Sequence, residues 1–441
     1  MNSTKLLISR FAVAIIICLM GINKLHAQAT WQKSYGTPTT DFPRQMIALT
    51  NGGYLFTGQS YTSVPGIYNI AYLAKVNANG DSVWTKEIYP TSPDSSIVGL
   101  SVFEINPNLF LLGCAQTLIM FDSSGNKVWY KTNLPSNYFE IFDFSNGEVV
   151  YSTGFELKKT DTSGTTVWSI NFPHFFGTKR VLKNNRGNYC YLYPGTGGTY
   201  FREIAFNGQI IRDQLFGVGS SVSNGLLMQN TQLNYVEFHG GSNTNIVKFD
   251  TLLNILSEKI YSGFSQLRAF RETPDKGYIL TGMDEGDIAF MKIDSNENQE
   301  YYHWLARWVY EEYPIDLHVD TDGGFVVFGS GERDAPNYTD FLLIKTNSDA
   351  TLGVHLMSER KYYSLKIYTN PSNSKINIEA NFPIKGILTI SNPTGQIFLK
   401  QNIYEQSVVE LNVENFTKGM YIIQIIDHVS YVPFYQKFIK E

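Results

Sequence analysis

Cysteine, charge and long apolar runs are all scarce in this sequence. Three cysteines in 441 residues cannot staple a disulfide scaffold. Two of them, Cys114 and Cys190, sit among strand-like apolar residues, where buried free thiols are the simpler reading than one long-range bridge. Only 17% of the residues are charged, fewer than solvated helical faces require. No segment beyond the N-terminus approaches the roughly 20 apolar residues of a membrane helix, so no transmembrane segment is expected in the mature chain. No His-x-His, His-Glu-x-x-His or Gly-x-Ser-x-Gly occurs, so neither a zinc site on one element nor a serine-hydrolase elbow has support. The histidines after the leader, His174, His239, His303, His318, His355 and His428, read as packed or surface residues. No metal and no cofactor is expected.

What is present favours β-structure. Hydrophobic residues make up 43% and aromatics 14% of the chain, with 28 Tyr and 29 Phe, the side chains that fit pleated, half-buried surfaces. Residues 1–29 read as a cleavable export signal: Lys5 and Arg10, an apolar run from Phe11 to Met20, then small residues at Ala27 and Ala29. A lipid anchor on Cys18 is the competing reading, and the bulky Ile15, Ile16 and Ile17 before it argue against it. The leader carries three cationic and no acidic residues, so its removal takes the formal net charge from −5 to −8, which excludes a nucleic-acid partner as an expectation.

A repeat fills the body. Asn51-Gly52-Gly53-Tyr54-Leu55-Phe56-Thr57-Gly58 is followed by Lys75-Val76-Asn77-Ala78-Asn79-Gly80 and Trp84. The pattern returns at Asn108 to Gly113 with Asp122-Ser123-Ser124-Gly125 and Trp129, and at Asn146-Gly147 to Gly154 with Asp161-Thr162-Ser163-Gly164 and Trp168. Weaker copies begin near Arg186-Gly187 and Asn234, and clear ones at Asp275-Lys276-Gly277-Tyr278 and Asp322-Gly323-Gly324-Phe325. Six intervals from Gly58 to Gly329 average about 45 residues, the period of propeller blades. Asn/Asp-Gly before an alternating apolar run supplies a hairpin turn. Asp-x-x-Gly is a second turn whose carboxylate can bond nearby backbone N–H groups. Trp84, Trp129 and Trp168 are then placed to pack between units. The seventh copy lacks its Trp strand, and Trp31-Gln32-Lys33-Ser34-Tyr35 resembles Trp84-Thr85-Lys86-Glu87-Ile88. The N-terminal strand is therefore expected to close a seven-bladed ring.

Over residues 31–353 the Gly-Gly-Tyr…Gly…Lys-x-Asp-x-x-Gly…Trp units resemble the propeller-like repeat proteins of Bacteroidetes. The run from Asp122 to Trp129 is also similar to the repeat of quinoprotein propellers, in which it docks blades and does not itself bind quinone.

Lys361 to Glu441 has no copy of the repeat. Alternating runs at 365–368, 375–379, 386–391, 396–400, 408–413, 419–426 and 433–440 predict a seven-stranded, Ig-like sandwich. Asn370-Pro371, Asn392-Pro393-Thr394-Gly395, Gly419-Met420-Tyr421 and the closing Lys437-Phe438-Ile439-Lys440 resemble the type A sorting domain of the type IX secretion system. Thr369 stands where that family usually has proline. The motif positions are Asn370, Pro371, Gly395, Gly419, Tyr421 and Lys440. The resemblance implies export through the periplasm, recognition by the type IX translocon and sorting machinery, and a product released or held at the outer cell surface. An Ig-like stalk or adhesion module is the plainer alternative. The expected division is signal peptide 1–29, propeller 30–355, linker 356–364 and sorting domain 365–441.

No motif names a reaction. Gly195-Thr196-Gly197-Gly198 leads into a strand-like run rather than a helix, so it is no phosphate cradle, and Asp294 to Glu300 lacks the glycine and distal Glu of a calcium loop. The segment Tyr301 to Tyr313 is unusually aromatic; Trp304, Trp308 and Tyr310 are candidates for a sugar-stacking or interaction surface, against a plainer role in packing between blades. The leading expectation is a secreted or cell-surface, non-enzymatic propeller binding glycan or protein through its loop face. The alternatives are a propeller hydrolase or lyase acting on extracellular polysaccharide, with carboxylates such as Glu104, Asp143 and Glu237 converging from different blades, and a purely structural surface component.

Overall fold

The computed structural model describes residues 30–441 except 63, 65–66, 91–95, 133, 135–139, 154, 174–180, 218–224, 241–242, 306–311, 333–338, 353–364 and 428–432. The signal peptide and the linker expected from the sequence lie outside the described residues.

Seven four-stranded antiparallel sheets follow one another along the body, each made of a run of chain that cannot cover both of its own faces. Blade 1 comprises Asp41–Ala48, Tyr54–Tyr61, Asn69–Val76 and Ser82–Ile88. Blades 2 to 6 run from Gly99–Asn106 to Lys127–Lys131, from Glu140–Ser145 to Thr166–Asn171, from Leu182–Lys183 to Ile210–Gly217, from Leu226–Gln229 to Ile255–Tyr261, and from Gln266–Glu272 to Gln299–Trp304. Blade 7 takes Glu312–Val319, Phe325–Glu332 and Thr339–Lys345, and its fourth strand is Trp31–Tyr35, paired antiparallel with Trp31 opposite Lys345 and Tyr35 opposite Phe341. The ring is therefore a closed seven-bladed β-propeller, sealed by the N-terminal strand as the sequence predicts. Apolar cores fill the gaps between blades: Phe56 and Tyr72 of blade 1, for example, pack with Val326, Phe328 and Phe341 of blade 7.

The repeat motifs are blade-to-blade fasteners. In each Asp-x-x-Gly turn the side-chain oxygen of the first residue caps the backbone N–H groups two and four positions on, as Asp122 does for Ser124 and Asn126 at 2.9 and 2.8 Å. This leaves the carbonyl of the second residue pointing away from its own turn, and the outermost strand of the preceding blade donates to it. Trp84 Nε1 bonds Ser123 O at 3.0 Å, and the same second-residue carbonyl is used in corresponding turns that lack the full motif: Trp168 Nε1 bonds Phe206 O at 3.2 Å, Arg212 Nη1 bonds Thr251 O at 2.6 Å and Tyr301 Oη bonds Ser348 O at 3.3 Å. The turn glycine is required by the same contact. Gly125 has a φ of 78°, and a Cβ there would lie 2.9 Å from the Trp84 indole. The tyrosine of Gly-Tyr ties the same blades at a second point: Tyr54 donates to Asp320 of blade 7 at 2.8 Å, and Tyr235 and Tyr278 accept from Asn184 and Asn230 of the blades before them, both at 3.1 Å.

The first-to-second and third-to-fourth turns of every blade lie on one face of the ring, and by antiparallel alternation the remaining connections lie on the other, the loop face. Cys114 and Cys190 are buried free thiols, in agreement with the sequence reading.

The C-terminal module keeps the expected sandwich but not the expected strand count. Lys375–Ser391 is one 17-residue strand and Ile397–Asn412 one 16-residue strand, which with Leu365–Tyr368, Gly419–Asp427 and Pro433–Lys440 makes five. Register shifts between Glu379 and Gly386 interrupt the pairing of the two long strands, so residues read as breaks between four short strands lie at irregularities within two long ones. Ile376, Ile378, Leu388, Ile390, Ile423 and Phe438 lie in its core.

Candidate functional site

Blades are wedges, so the space between two neighbours widens outward and must be filled by progressively larger side chains. Between blades 1 and 2 it is not filled, and a groove of about 520 Å³ remains. Strand alternation decides what lines it. On the outermost strand of blade 1, Trp84, Lys86 and Ile88 turn toward blade 2 and are half-buried, while Val83, Thr85 and Glu87 turn to solvent. On blade 2, Ile119 pairs with Tyr130 and Phe121 with Lys127 across the outer two strands, and Ile119 and Phe121 belong to the core shared with blade 1, so Tyr130 and Lys127 share that wall. The indole of Trp84 against Gly125 closes the turn-face end.

The loop-face end is open because blade 2 joins its second and third strands with only Ala115 and Gln116, the latter at a φ of 60°. Backbone bonds hold this rim in place: Ala115 N to Val98 O at 3.2 Å, Ile97 N to Asn69 O at 3.2 Å, and Leu134 N to Gln116 O at 3.1 Å. Two tyrosines flank the opening, Tyr89 at 43% and Tyr130 at 54% exposure. Tyr89 donates to Glu87 at 2.8 Å, and that bond holds its phenol above the usual tyrosine range. The Lys127 ammonium lies 4.7 Å from the centre of the Tyr130 ring. Ser96, Gln116, Thr117 and Thr132 supply hydroxyl and amide groups along the wall. Flat rings beside hydroxyls and amides form a surface on which an extended polar chain can lie, with ring faces stacking and side groups hydrogen-bonding.

The residues proposed from sequence fall elsewhere. Trp304 donates from Nε1 to Asp284 Oδ2 at 3.1 Å, and Tyr302 donates to the same oxygen at 2.9 Å. Both rings pack on the core between blades 5 and 6, so Trp304 serves the joint between blades. Trp308 and Tyr310 lie outside the described residues. Two of the three carboxylates are engaged at different blade junctions and the third within blade 5. Glu104 accepts from Thr50 N and Oγ1 at 2.8 and 2.9 Å, and Asp143 pairs with Lys183 at 2.7 Å and accepts from Tyr189 at 3.2 Å. Glu237 sits 2.9 Å from His239 Nδ1, whose other nitrogen meets the Asn245 amide at 2.8 Å. Burial raises the Glu237 carboxyl, and the bond to Glu237 raises His239. This pair was legible in principle, since Glu237 and His239 stand two apart on one strand and so share a face. Among the described residues no group of three or more His, Cys, Asp or Glu could hold a metal ion, and no helix is long and apolar enough to cross a membrane.

In the C-terminal module three of the motif residues make contacts within the fold. Asn370, which precedes Pro371 through a cis bond, accepts from Ile439 N at 2.9 Å and donates to Lys437 O at 3.2 Å, tying the first turn to the last strand. Tyr421 is buried and donates to Thr417 O at 2.9 Å, while Lys440 is buried at the edge of the same sheet.

Comparison with known proteins bears on both modules. Residues 366–441 match the family described as "Secretion system C-terminal sorting domain". This is the type IX sorting tail, and it marks the chain for the outer cell surface or for secretion. No curated protein matches the chain in sequence. A catalytically inactive virginiamycin B lyase from Staphylococcus aureus, solved with quinupristin, is similar in structure at a TM-score of 0.52 and 10% identity, over 72% of this chain and 100% of that one. A streptogramin B lyase is similar at 0.50 and 12% identity, over 72% and 98%. At these identities the likeness concerns the fold. The extracellular domain of the one-component system BT4673 from B. thetaiotaomicron aligns at 0.48 and 11% identity over 94% of this chain, which spans 59% of that structure.

Proposed function

We propose that the propeller is a non-enzymatic binding module carried to the cell surface or the medium by its sorting domain, and that its ligand is an extracellular glycan held in the groove between blades 1 and 2. The observation that carries this reading is the pair of exposed rings, Tyr89 and Tyr130, at the open end of a groove of about 520 Å³. A ring left exposed beside hydroxyl and amide groups favours contact with sugar, because a flat side chain offers area at little cost in conformational entropy. The groove opens at the outer edge of the loop face, between two blades rather than at the mouth of the channel.

A glycan array probed with the mature chain tests the reading. Binding to a defined set of oligosaccharides, weakened about tenfold or more by Tyr130→Ala, supports it; a loss of that size corresponds to roughly 1.4 kcal/mol, ordinary for removing an aromatic anchor. Retention of the whole binding profile by Tyr130→Ala contradicts it.

A further inference from the structure

We infer that the groove selects an acidic glycan, one carrying carboxylate or sulfate-ester groups along an extended chain. This rests on the groove being the binding site. The charged side chains along the groove are Lys86 and Lys127, with one carboxylate, Glu87, exposed at its mouth and accepting from Tyr89, so cations outnumber anions two to one.

The two lysines differ in origin. Lys86 belongs to the repeat: Lys33, Lys131 and Lys259 occupy the same place on their strands, where Lys131 covers Gly164 with its stem, as Lys86 covers Gly125, and Lys259 Nζ bonds Glu297 O at 3.4 Å. Its charge is shared with the neighbouring turn, where it helps hold the Asp122 carboxyl below its usual range after the bonds from Asn126.

Lys127 has no such role. Its structural register is fixed by the pairing with Phe121, and the equivalent pairings place Ser82, Thr166, Ile210, Ile255 and Gln299 at that position in blades 1, 3, 4, 5 and 6. The fold therefore does not need a cation there. The ammonium instead lies over one face of Tyr130, so one wall holds a positive charge against an exposed aromatic ring. In a chain of net charge −5, a groove with inward-facing cations and sugar-binding groups is complementary to an acidic polysaccharide: hydroxyl and amide groups meet the sugar hydroxyls, the ring meets a pyranose face and Lys127 meets the acid group.

Calorimetric titration of the mature chain separates the possibilities, with oligogalacturonate, its carboxyl-reduced neutral counterpart of equal length, and a sulfated fucan oligosaccharide as probes. One or both acidic oligomers are expected to bind roughly tenfold tighter than the neutral one at low salt, as two partly exposed charge pairs allow, with the preference shrinking as salt rises. Which acidic oligomer binds distinguishes carboxylate from sulfate. Lys127→Gln is expected to cut the preference for the acidic oligomer from roughly tenfold to about threefold, the share left to Lys86, with an unchanged thermal midpoint showing the fold intact. Equal affinity for the neutral oligomer, no change in the ratio with Lys127→Gln, or no binding of any acidic probe overturns acid selection and leaves the groove to be judged by the array. Undiminished binding by Tyr130→Ala overturns the groove reading itself.

Discussion

Trp31 lies directly across the sheet from Lys345, so the start of the described chain and the end of the repeat region form one blade. Trp31 is 7% exposed and packs with Tyr54 of blade 1 at a ring separation of 6.3 Å. Tyr35, four residues on, donates its hydroxyl to Gly80 O, and Lys33 pairs with Asp81. One short strand thus completes blade 7 and fastens it to blade 1.

Trp31→Ala is expected to destabilise the propeller by about 3–5 kcal/mol, the usual cost of truncating a buried tryptophan. Chemical denaturation of the mature chain measures this. A loss below about 1 kcal/mol would mean that the ring does not depend on its closing strand.

Gly125→Ala and Gly147→Ala separate close approach from backbone strain. Both glycines have positive φ, 78° and 74°, but a Cβ at Gly125 meets Trp84 while one at Gly147 meets nothing within 4 Å. Gly147→Ala is expected to cost about 1–2 kcal/mol from conformation alone, and Gly125→Ala to cost 1–3 kcal/mol more through displacement of the indole. Paired thermal melts would reveal the gap, and equal losses would refute the proposed fit.

Asp41 and Asp320 act oppositely with pH. Burial lifts the Asp41 carboxyl to about 6, with the charge of Asp340 adding to the rise and bonds from Thr37 opposing it. A carboxyl raised in the folded state contributes stability that is present below its unfolded value near 4 and is lost as pH rises through 6; a displacement of that size corresponds to roughly 3 kcal/mol. At Asp320 burial also raises the carboxyl, but hydrogen bonds from Lys345 and Tyr54 outweigh it and hold the group at about 2. Its contribution is present above pH 4 and fades as pH falls toward 2. Asp41→Asn is therefore expected to flatten the decline in stability between pH 4 and 6, as followed by denaturation across that range, and an unchanged profile would remove Asp41 from the account.

Deleting residues 361–441 is expected to leave the propeller in the periplasm, because the matched sorting segment at 366–441 goes with them. Fractionation and immunoblotting read the outcome. Normal appearance of the truncated chain outside the cell would contradict a sorting role.

The ring was legible because its signals repeat. Trp31 could be matched to Trp84, and the missing strand after Lys345 to the extra one at Trp31, before any contact was known. The reason for the Gly-Tyr motif was not legible: Tyr54 reaches Asp320 across 266 positions, a contact that exists only once the ring is closed. In the C-terminal module, alternation located every apolar run but did not show that the runs on either side of the stretch from Glu379 to Gly386 belong to one strand, because the pairing register shifts there. The groove left no linear trace, since Lys86, Tyr89, Gln116 and Tyr130 come from two blades. The one sign a comparison of repeats could have raised is Lys127, which stands where blades 1, 3, 4, 5 and 6 have uncharged residues. The aromatic run around Trp304 drew attention because tryptophan suits both binding and packing, and the Trp304 ring packs on the core shared by blades 5 and 6.

Hydrogen exchange of the mature chain, saturated in turn with oligogalacturonate and with the sulfated fucan oligosaccharide, tests the binding account most directly, the oligomer that binds giving the result. Protection is expected in residues 86–90, 115–117 and 127–132, the walls and rim of the groove between blades 1 and 2, and nowhere in blade 6. Protection centred on residues 299–305, with the groove unchanged, would contradict it.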